Sequence, residues 1–264
     1  MFGNFKLADL IAIHCSNIDV NCRIELEREI LVSERDYVTA LTTRIRDEIG
    51  RHFNLRSHAQ TLRPRVENEN GVDGIIVFKS GNEIKAGIFE AKRPQVLKAN
   101  HRWDYLSSRK LSHFSEQIEK QRKWRGQLAL WEMFFNEGPK GHESPPFEFF
   151  GSSCVWHDNA YDFMNKQGLI FNCWNTAKLK QLLNSDCVNF YSIIFDMISC
   201  KAGKRHKIDI KDQSCRVISQ LNDNISMTIP LPIEEEIKSD NRIENFLAEN
   251  NLESYLFFDL SKYR

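Results

Sequence analysis

Two apolar segments separated by a short turn sequence lie between residues 74 and 92 of this 264-residue chain. Residues 74–79 (GIIVFK) and 85–92 (KAGIFEAK) each have the length and apolar character of a buried strand. The intervening residues 80–82 (SGN) are typical of a tight turn, and Pro94 ends the second segment. These residues therefore predict an antiparallel β-hairpin.

Charged side chains stand at the open end of this hairpin. Asp73 precedes the first segment, whereas Glu90 and Lys92 lie near the end of the second. Because side chains alternate between the faces of a strand, Glu90 and Lys92 share one face, and the turn brings Asp73 back toward Glu90. Charges at the end of a buried strand require a reason. The alternatives without a function are an Asp–Gly turn pair and a surface ion pair.

Two carboxylates beside an ammonium group suit phosphodiester hydrolysis. Asp73 and Glu90 would bind a hard divalent cation, Mg²⁺ with Mn²⁺ as a substitute, and the backbone carbonyl of Ala91 is a candidate third ligand. The metal neutralises the phosphate and lowers the pKa of a bound water. Lys92 would position that water and stabilise the charge that develops on the phosphate oxygens.

The surrounding sequence predicts an ordered series of elements. A helix over 33–50 is capped by Ser33 and ends at Gly50, and an extended stretch covers 59–66. After the hairpin, a long helical region over 106–135, interrupted at Gly126, precedes a strand at 147–156. The order is helix, strand, strand, strand, helix, strand. Beyond residue 160, a helix or strand over 188–198 and a helix over Asn241–Asn250 are expected.

The segments GVDGIIVF and KAGIFEAKRP resemble the PD-(D/E)xK nucleases of the restriction-endonuclease-like fold. The likeness is nearest to restriction and phage-defence nucleases, including the nuclease domain of type I restriction motor subunits. Val72 stands where the family usually has proline. The resemblance implies an α/β (α+β) core over 31–158 with a central mixed sheet flanked by helices. Residues 1–30 would be an N-terminal extension, and 159–264 a C-terminal α/β elaboration packed on the core.

The resemblance also suggests two further catalytic residues. Relatives often supply an acid from the first helix, for which Glu34 is the best positional match, although an acid there also suits the helix dipole. Many carry a glutamine on the helix after the second hairpin strand, with a tyrosine four positions later. Gln117 matches the glutamine, but Gln121 occupies the tyrosine position. An exposed helical residue is the alternative for Gln117.

The chain has 36 basic and 36 acidic residues and hence a net charge of zero, which excludes a globally basic nucleic-acid binder. The segment 92–125 nevertheless has ten basic and three acidic residues. Placed directly after the proposed catalytic strand, it favours contacts with nucleic-acid phosphates, although a solvated helix face is the alternative. The candidate nucleic-acid-binding residues are Arg93, Lys98, Arg102, Lys120, Arg122 and Lys123.

These observations predict a Mg²⁺-dependent endodeoxyribonuclease, and the resemblance places it in restriction or antiviral defence. DNA is the expected partner. The resemblance also implies an ATPase or sensor protein of the same system as a candidate partner. The chain has no GxxxxGK[ST] motif, so a P-loop ATPase would be a separate protein. A homodimer would supply the two sites that double-strand cleavage commonly uses. The alternatives are an inactive nucleic-acid-binding or scaffold subunit, and a nuclease specific for RNA or for DNA ends.

The sequence also indicates the cellular setting. No apolar run reaches the ~20 residues of a membrane helix, and the start of the chain lacks the pattern of a secretory signal. The seven cysteines form no CxxC pair, so a structural zinc site is not expected and free thiols are. A cytoplasmic protein without membrane partners is the resulting expectation.

Overall fold

The computed structural model describes residues 2–62, 72–93, 103–135, 151–233 and 240–263. The α-helices within these residues are α1 (Phe5–Glu27), α2 (Glu34–His52), α3 (His113–Gln121), α4 (His157–Lys166), α5 (Thr176–Asp186), α6 (Phe190–Ile198) and α7 (Asn241–Asn250). The strands are β1 (Arg56–Thr61), β2 (Val72–Ser80), β3 (Glu83–Lys92), β4 (Ala129–Phe134), β5 (Ser153–Trp156), β6 (Cys187–Asn189), β7 (His206–Lys207), β8 (Ser214–Ile218), β9 (Ser226–Pro230) and β10 (Leu252–Asp259).

A mixed sheet forms the centre of the protein, with the strand order β1-β10-β2-β3-β4-β5-β6 and β7 paired to β3. The β10–β2 and β3–β4 pairs are parallel, and the other pairs are antiparallel. Strands β8 and β9 form a separate two-stranded sheet. The predicted hairpin is confirmed as β2–β3, and Gly81 in its turn has a φ of 62°, which favours glycine. The expectation of a mixed α/β protein with a central mixed sheet flanked by helices is confirmed.

The two faces of the hairpin belong to different cores because its side chains alternate. On one face, Phe78 and Phe89 pack in a cluster that includes residues of α1, α2 and α6. On the other face, Ile75 and Ile88 pack with residues of α7, β8 and β9. A third cluster joins α3, α4 and α5 around Trp174. Burial on both faces explains why both hairpin segments are almost continuously apolar.

Helix α2 forms largely as its sequence predicts. The Ser33 hydroxyl accepts a hydrogen bond from the amide of Asp36 at 3.0 Å, which caps the helix. The expectation that Gly50 ends the helix is wrong, because α2 continues to His52. Gly50 instead permits close approach, since a Cβ there would lie 2.5 Å from the hydroxyl of Ser57 at the start of the sheet.

The predicted helix over 106–135 is wrong for most of its length. Helix α3 covers only nine residues, a 3-10 turn follows at Arg122–Trp124, and residues 129–134 form strand β4. Gly126 lies in the turn between them with a φ of 72°. Strand β4 is buried along its whole length, so its apolar residues lack the alternation that distinguishes a half-exposed strand from a helix.

The other predicted helices and strands agree with the structure to different extents. The extended stretch expected at 59–66 overlaps β1 at residues 59–61, and residues 63–66 lie outside the described ranges. The strand expected at 147–156 overlaps β5 at residues 153–156, and residues 147–150 lie outside the described ranges. The segment 188–198 contains the end of β6 and all of α6, and α7 has its predicted bounds. From α2 onward the observed order is one helix, three strands, one helix and two strands. The predicted order therefore lacked β4, since its last strand was expected at 147–156.

The end of the chain contributes to the same sheet as the hairpin. Strand β10 lies between β1 and β2, parallel to β2, with Ser254 opposite Gly74. Strands β1, β10 and β2 thus bring residues near positions 60, 255 and 75 side by side in one sheet. The domain boundaries at residues 30 and 158 stay predictions. No helix among the described residues has both the length and the apolar character needed to cross a membrane.

Candidate active site

A cleft of about 520 Å³ opens where the hairpin strands end. All five candidate catalytic residues line it: Glu34, Asp73, Glu90, Lys92 and Gln117. They come from α2, β2, β3 and α3, so four elements converge there. These five residues span 83 positions of the sequence.

Asp73, Glu90 and Lys92 form the centre of this cleft. Because Gly74 pairs with Phe89 in the hairpin register, Asp73 lies across from Glu90 on the same face of the sheet. The Lys92 ammonium group contacts Oε1 of Glu90, and the Asp73 carboxylate accepts a hydrogen bond from the amide of Ala91. Ala91 thus takes part through its backbone, while the ligand role suggested for its carbonyl stays a prediction.

Burial shapes the protonation of the two carboxyl groups. It raises the pKa of Asp73 to about 8, although nearby Lys92 opposes the shift. Burial, reinforced by repulsion from Asp73, also raises the pKa of Glu90 well above its ordinary value. For Lys92, burial acts to lower the pKa, but the surrounding carboxylates raise it above the usual range. The lysine is therefore the cation that balances part of the acidic charge.

The donor set fits a divalent cation. Glu90 is 1% exposed, and its Oε2 has no hydrogen-bond partner among the described residues. A buried carboxylate oxygen without a partner is costly unless a ligand or water satisfies it. Two adjacent carboxylates with one such oxygen provide the hard oxygen ligands that Mg²⁺ prefers.

Two further acids face this centre. Glu34 at the start of α2 accepts a hydrogen bond from the amide of Arg93, which joins the helix to the end of β3. Glu253 on β10 also lines the cleft, and burial raises its pKa. Both acids add to the negative potential that raises the pKa of Asp73. Sequence reasoning missed Glu253, because nothing local to residue 253 indicates that its strand pairs with β2.

A buried acid–histidine pair lies on the next strand. Glu132 on β4 is in parallel register with Glu90, and its Oε1 is 3.1 Å from Nδ1 of His157 at the start of α4. Neither side chain is more than 2% exposed. Glu132 also contributes to the raised pKa of Glu90. This pair was missed because β4 was expected to be helical, and a strand assignment would have placed Glu132 beside the hairpin.

Buried polar atoms without a partner among the described residues extend from this region into α3. They are Glu132 Oε2, His157 Nε2, Gln117 Oε1, and both amide atoms of Gln121. Gln117 lines the cleft, whereas Gln121, one turn later, is not part of its wall. The alternative in which Gln117 is an exposed helical residue is wrong, since only 3% of it is exposed.

Among the candidate nucleic-acid-binding residues that the structure describes, Arg93 alone lines the cleft. Lys98 and Arg102 lie outside the described residues. Lys120 and Lys123 are exposed near the end of α3 and in the following 3-10 turn, away from the cleft wall. Arg122 packs over the ring of Tyr161 at 4.8 Å. Their contacts with phosphates stay a prediction.

Comparison of the chain with protein-family models, with curated proteins and with solved structures gives no match. The residues of the cleft are therefore what supports a function.

Proposed function

We propose that the protein is a metal-dependent nuclease that hydrolyses phosphodiester bonds in DNA. The observation that carries this proposal is the contact of Lys92 with Glu90, across the hairpin from Asp73, in an open cleft. Two carboxylates beside one ammonium group, in a cleft that is open to solvent, support hydrolysis of a phosphodiester with the help of a bound cation. The order from α2 to β4 further supports a restriction-endonuclease-like core.

Asp73 and Glu90 would hold the cation, Mg²⁺ or Mn²⁺. When bound, it supplies neutralisation of the phosphate charge and acidification of a water molecule. Lys92 donates a hydrogen bond that orients the attacking water and then stabilises negative charge on the phosphate oxygens. Its contact with Glu90 holds the ammonium group in place for both tasks. Glu34 holds the backbone at Arg93 and with it the end of the catalytic strand.

Restriction or antiviral defence is the role we propose from the family resemblance, with an ATPase or sensor protein and a homodimer as partners still to be tested. The chemical proposal is independent of that role. The residues of the cleft would carry out the hydrolysis, whereas a trigger or partner would control when DNA reaches them.

Plasmid cleavage with Mg²⁺, and with EDTA as the control, tests the chemistry. The variants Asp73→Asn, Glu90→Gln and Lys92→Met keep side-chain size and remove the charge. Each is expected to lower the cleavage rate by about 100-fold or more, the usual effect of losing one electrostatic group at a reacting centre. The exposed-site variants Lys180→Met and Glu249→Gln are matched controls expected to cleave normally. Full activity in all three cleft variants would reject the assignment.

The same assay separates the alternative functions. An inactive binding or scaffold subunit would retain nucleic-acid binding without any cleavage at any Mg²⁺ concentration. An RNA- or end-specific nuclease would cleave RNA or linear DNA and leave circular DNA intact. Parallel reactions with circular DNA, linear DNA and RNA of equal length therefore identify the substrate class.

A further inference from the structure

A second group of metal-ligating side chains lies on the helical layer, away from the cleft. His14 projects from α1, and Glu48 and His52 project from α2. One ligand atom from each of the three lies within 4.8 Å of the other two, and His14 Nδ1 is 3.3 Å from Glu48 Oε1. Since Glu48 and His52 are four residues apart, they share one face of α2. Two helices thus present two imidazoles and one carboxylate to one point.

Packing holds the two imidazoles in this arrangement. Their ring centroids are 4.2 Å apart, and the ring of Phe53 packs edgewise against both, at 5.4 Å from His14 and 5.0 Å from His52. Phe53 itself is 8% exposed and belongs to the core cluster between α1 and α2. These ring contacts restrict the rotamers of the two imidazoles, which reduces the conformational entropy lost when an ion binds.

Solvent reaches this group from the outer side. The side chains of His14 and Glu48 are 22% and 43% exposed, and His52 is an exposed residue. An ion held by the three side chains therefore retains access to water as a further ligand. His52 lies in the last turn of α2, where the negative end of the helix dipole favours a cation.

We propose that His14, Glu48 and His52 bind one divalent transition-metal ion, with Zn²⁺ as the preferred ion and water as the fourth ligand. Two imidazole nitrogens and one carboxylate oxygen form a ligand set that Zn²⁺ accepts in a tetrahedral site. Mg²⁺ takes oxygen ligands and several waters, so it competes poorly for two imidazoles. The two sites of the protein therefore differ in metal preference.

The ion would link α1 to α2. Because it binds the folded arrangement and not the unfolded chain, it adds to the stability of the folded protein. Glu48 is fourteen residues along α2 from Glu34, which corresponds to roughly 20 Å. The zinc site is thus separate from the cleft, and either proposal can fail without the other.

Isothermal titration of the full chain with Zn²⁺ tests this site, with Mg²⁺ titrated in parallel. The variants His14→Gln, Glu48→Gln and His52→Ala each remove one ligand. The Arg51→Ala variant, on the same exposed turn, is the matched control. Wild type and Arg51→Ala are expected to bind one Zn²⁺ at this site. Each ligand variant is expected to bind it at least about tenfold more weakly, because even outer partners of metal ligands contribute that much.

Thermal unfolding supplies a second measurement that does not depend on nuclease activity. Zn²⁺ is expected to raise the unfolding midpoint of wild type and Arg51→Ala, and to raise it less in the three ligand variants. Far-ultraviolet circular dichroism checks that the exposed-site variant His52→Ala is folded. Zn²⁺ affinity equal in wild type and all three ligand variants would overturn the proposal, since it would place bound zinc elsewhere. Absence of Zn²⁺ binding by wild type would overturn it too.

Discussion

The ammonium group of Lys92 contacts Oε1 of Glu90, and both side chains are withdrawn from solvent, with 12% of Lys92 and 1% of Glu90 exposed. The attraction between the two charges therefore offsets part of the hydration free energy that each group loses on burial. Such a pair contributes little net stability as a unit, but the loss of one member leaves an uncompensated buried charge. The same contact that orients Lys92 for chemistry thus makes the end of β3 sensitive to substitution.

Lys92→Met is expected to lower the free energy of unfolding by about 3 kcal/mol, because Glu90 then remains buried without its partner. The double variant Glu90→Gln/Lys92→Met is expected to be more stable than Lys92→Met alone, since the isolated charge is gone. Urea unfolding of wild type, both single variants and the double variant measures this coupling. Additive losses would show that the two side chains do not interact.

Asp73→Asn is expected to raise the stability of the protein in EDTA. Because the variant lacks one of the proposed metal ligands, Mg²⁺ is not expected to stabilise it further. The pKa of Asp73 is about 8 in the folded chain against an ordinary value of 3.8. Its stabilising contribution is therefore complete below 3.8 and is lost as the pH rises through about 8. The stability of the variant relative to wild type should therefore increase as the pH rises from 3.8 to about 8. Thermal unfolding at several pH values measures the difference, and a constant difference would contradict the expectation.

Gln117 and Gln121 provide a matched pair on one face of α3, since both are buried and only Gln117 lines the cleft. Gln117→Leu is expected to slow DNA cleavage about tenfold, which corresponds to one hydrogen bond of about 1.4 kcal/mol to the substrate or water. Gln121→Leu is expected to cleave at the wild-type rate. Initial rates at saturating Mg²⁺ decide the matter, and equal effects of the two substitutions would assign Gln117 a purely structural role.

Substitution of Lys120 and Lys123 tests whether the basic residues of segment 92–125 contact DNA. If both contact phosphates, the double variant Lys120→Ala/Lys123→Ala should reduce the slope of log affinity against log salt by about 0.9 for each contact. The measurement is fluorescence anisotropy with a catalytically inactive Glu90→Gln background and a DNA duplex. Lys180→Ala is the exposed control. An unchanged slope would support a solvated helix face.

The hairpin and its charges could be predicted from the sequence because their information is local. The turn at Gly81, the alternation of side chains and the placement of Asp73 against Glu90 all follow from about twenty consecutive residues. Helix α2 is local in the same sense, since its cap at Ser33 and its apolar spacing lie within one element. Short-range hydrogen bonds and side-chain periodicity are sufficient to specify such features.

Strand β4 and its Glu132 could not be predicted in this way. A strand buried on both faces has no alternation, so its apolar run fits a helix equally well. Residues 129–134 are a strand because they pair in parallel with β3, and a parallel pair requires a long crossover, which here contains α3. Only the tertiary structure decides between the two.

The sequence by itself thus determined the hairpin, its three charged residues and helix α2, because each depends on neighbours in the chain. The tertiary structure alone decided that Glu253 joins the cleft, that Glu132 meets His157, and that His14 faces α2. These groups are separated along the chain by 25 residues, for Glu132 and His157, to 219 residues, for Glu34 and Glu253, and no local preference links them. They meet because burial of both faces of one sheet leaves few positions for the strands and helices that supply them.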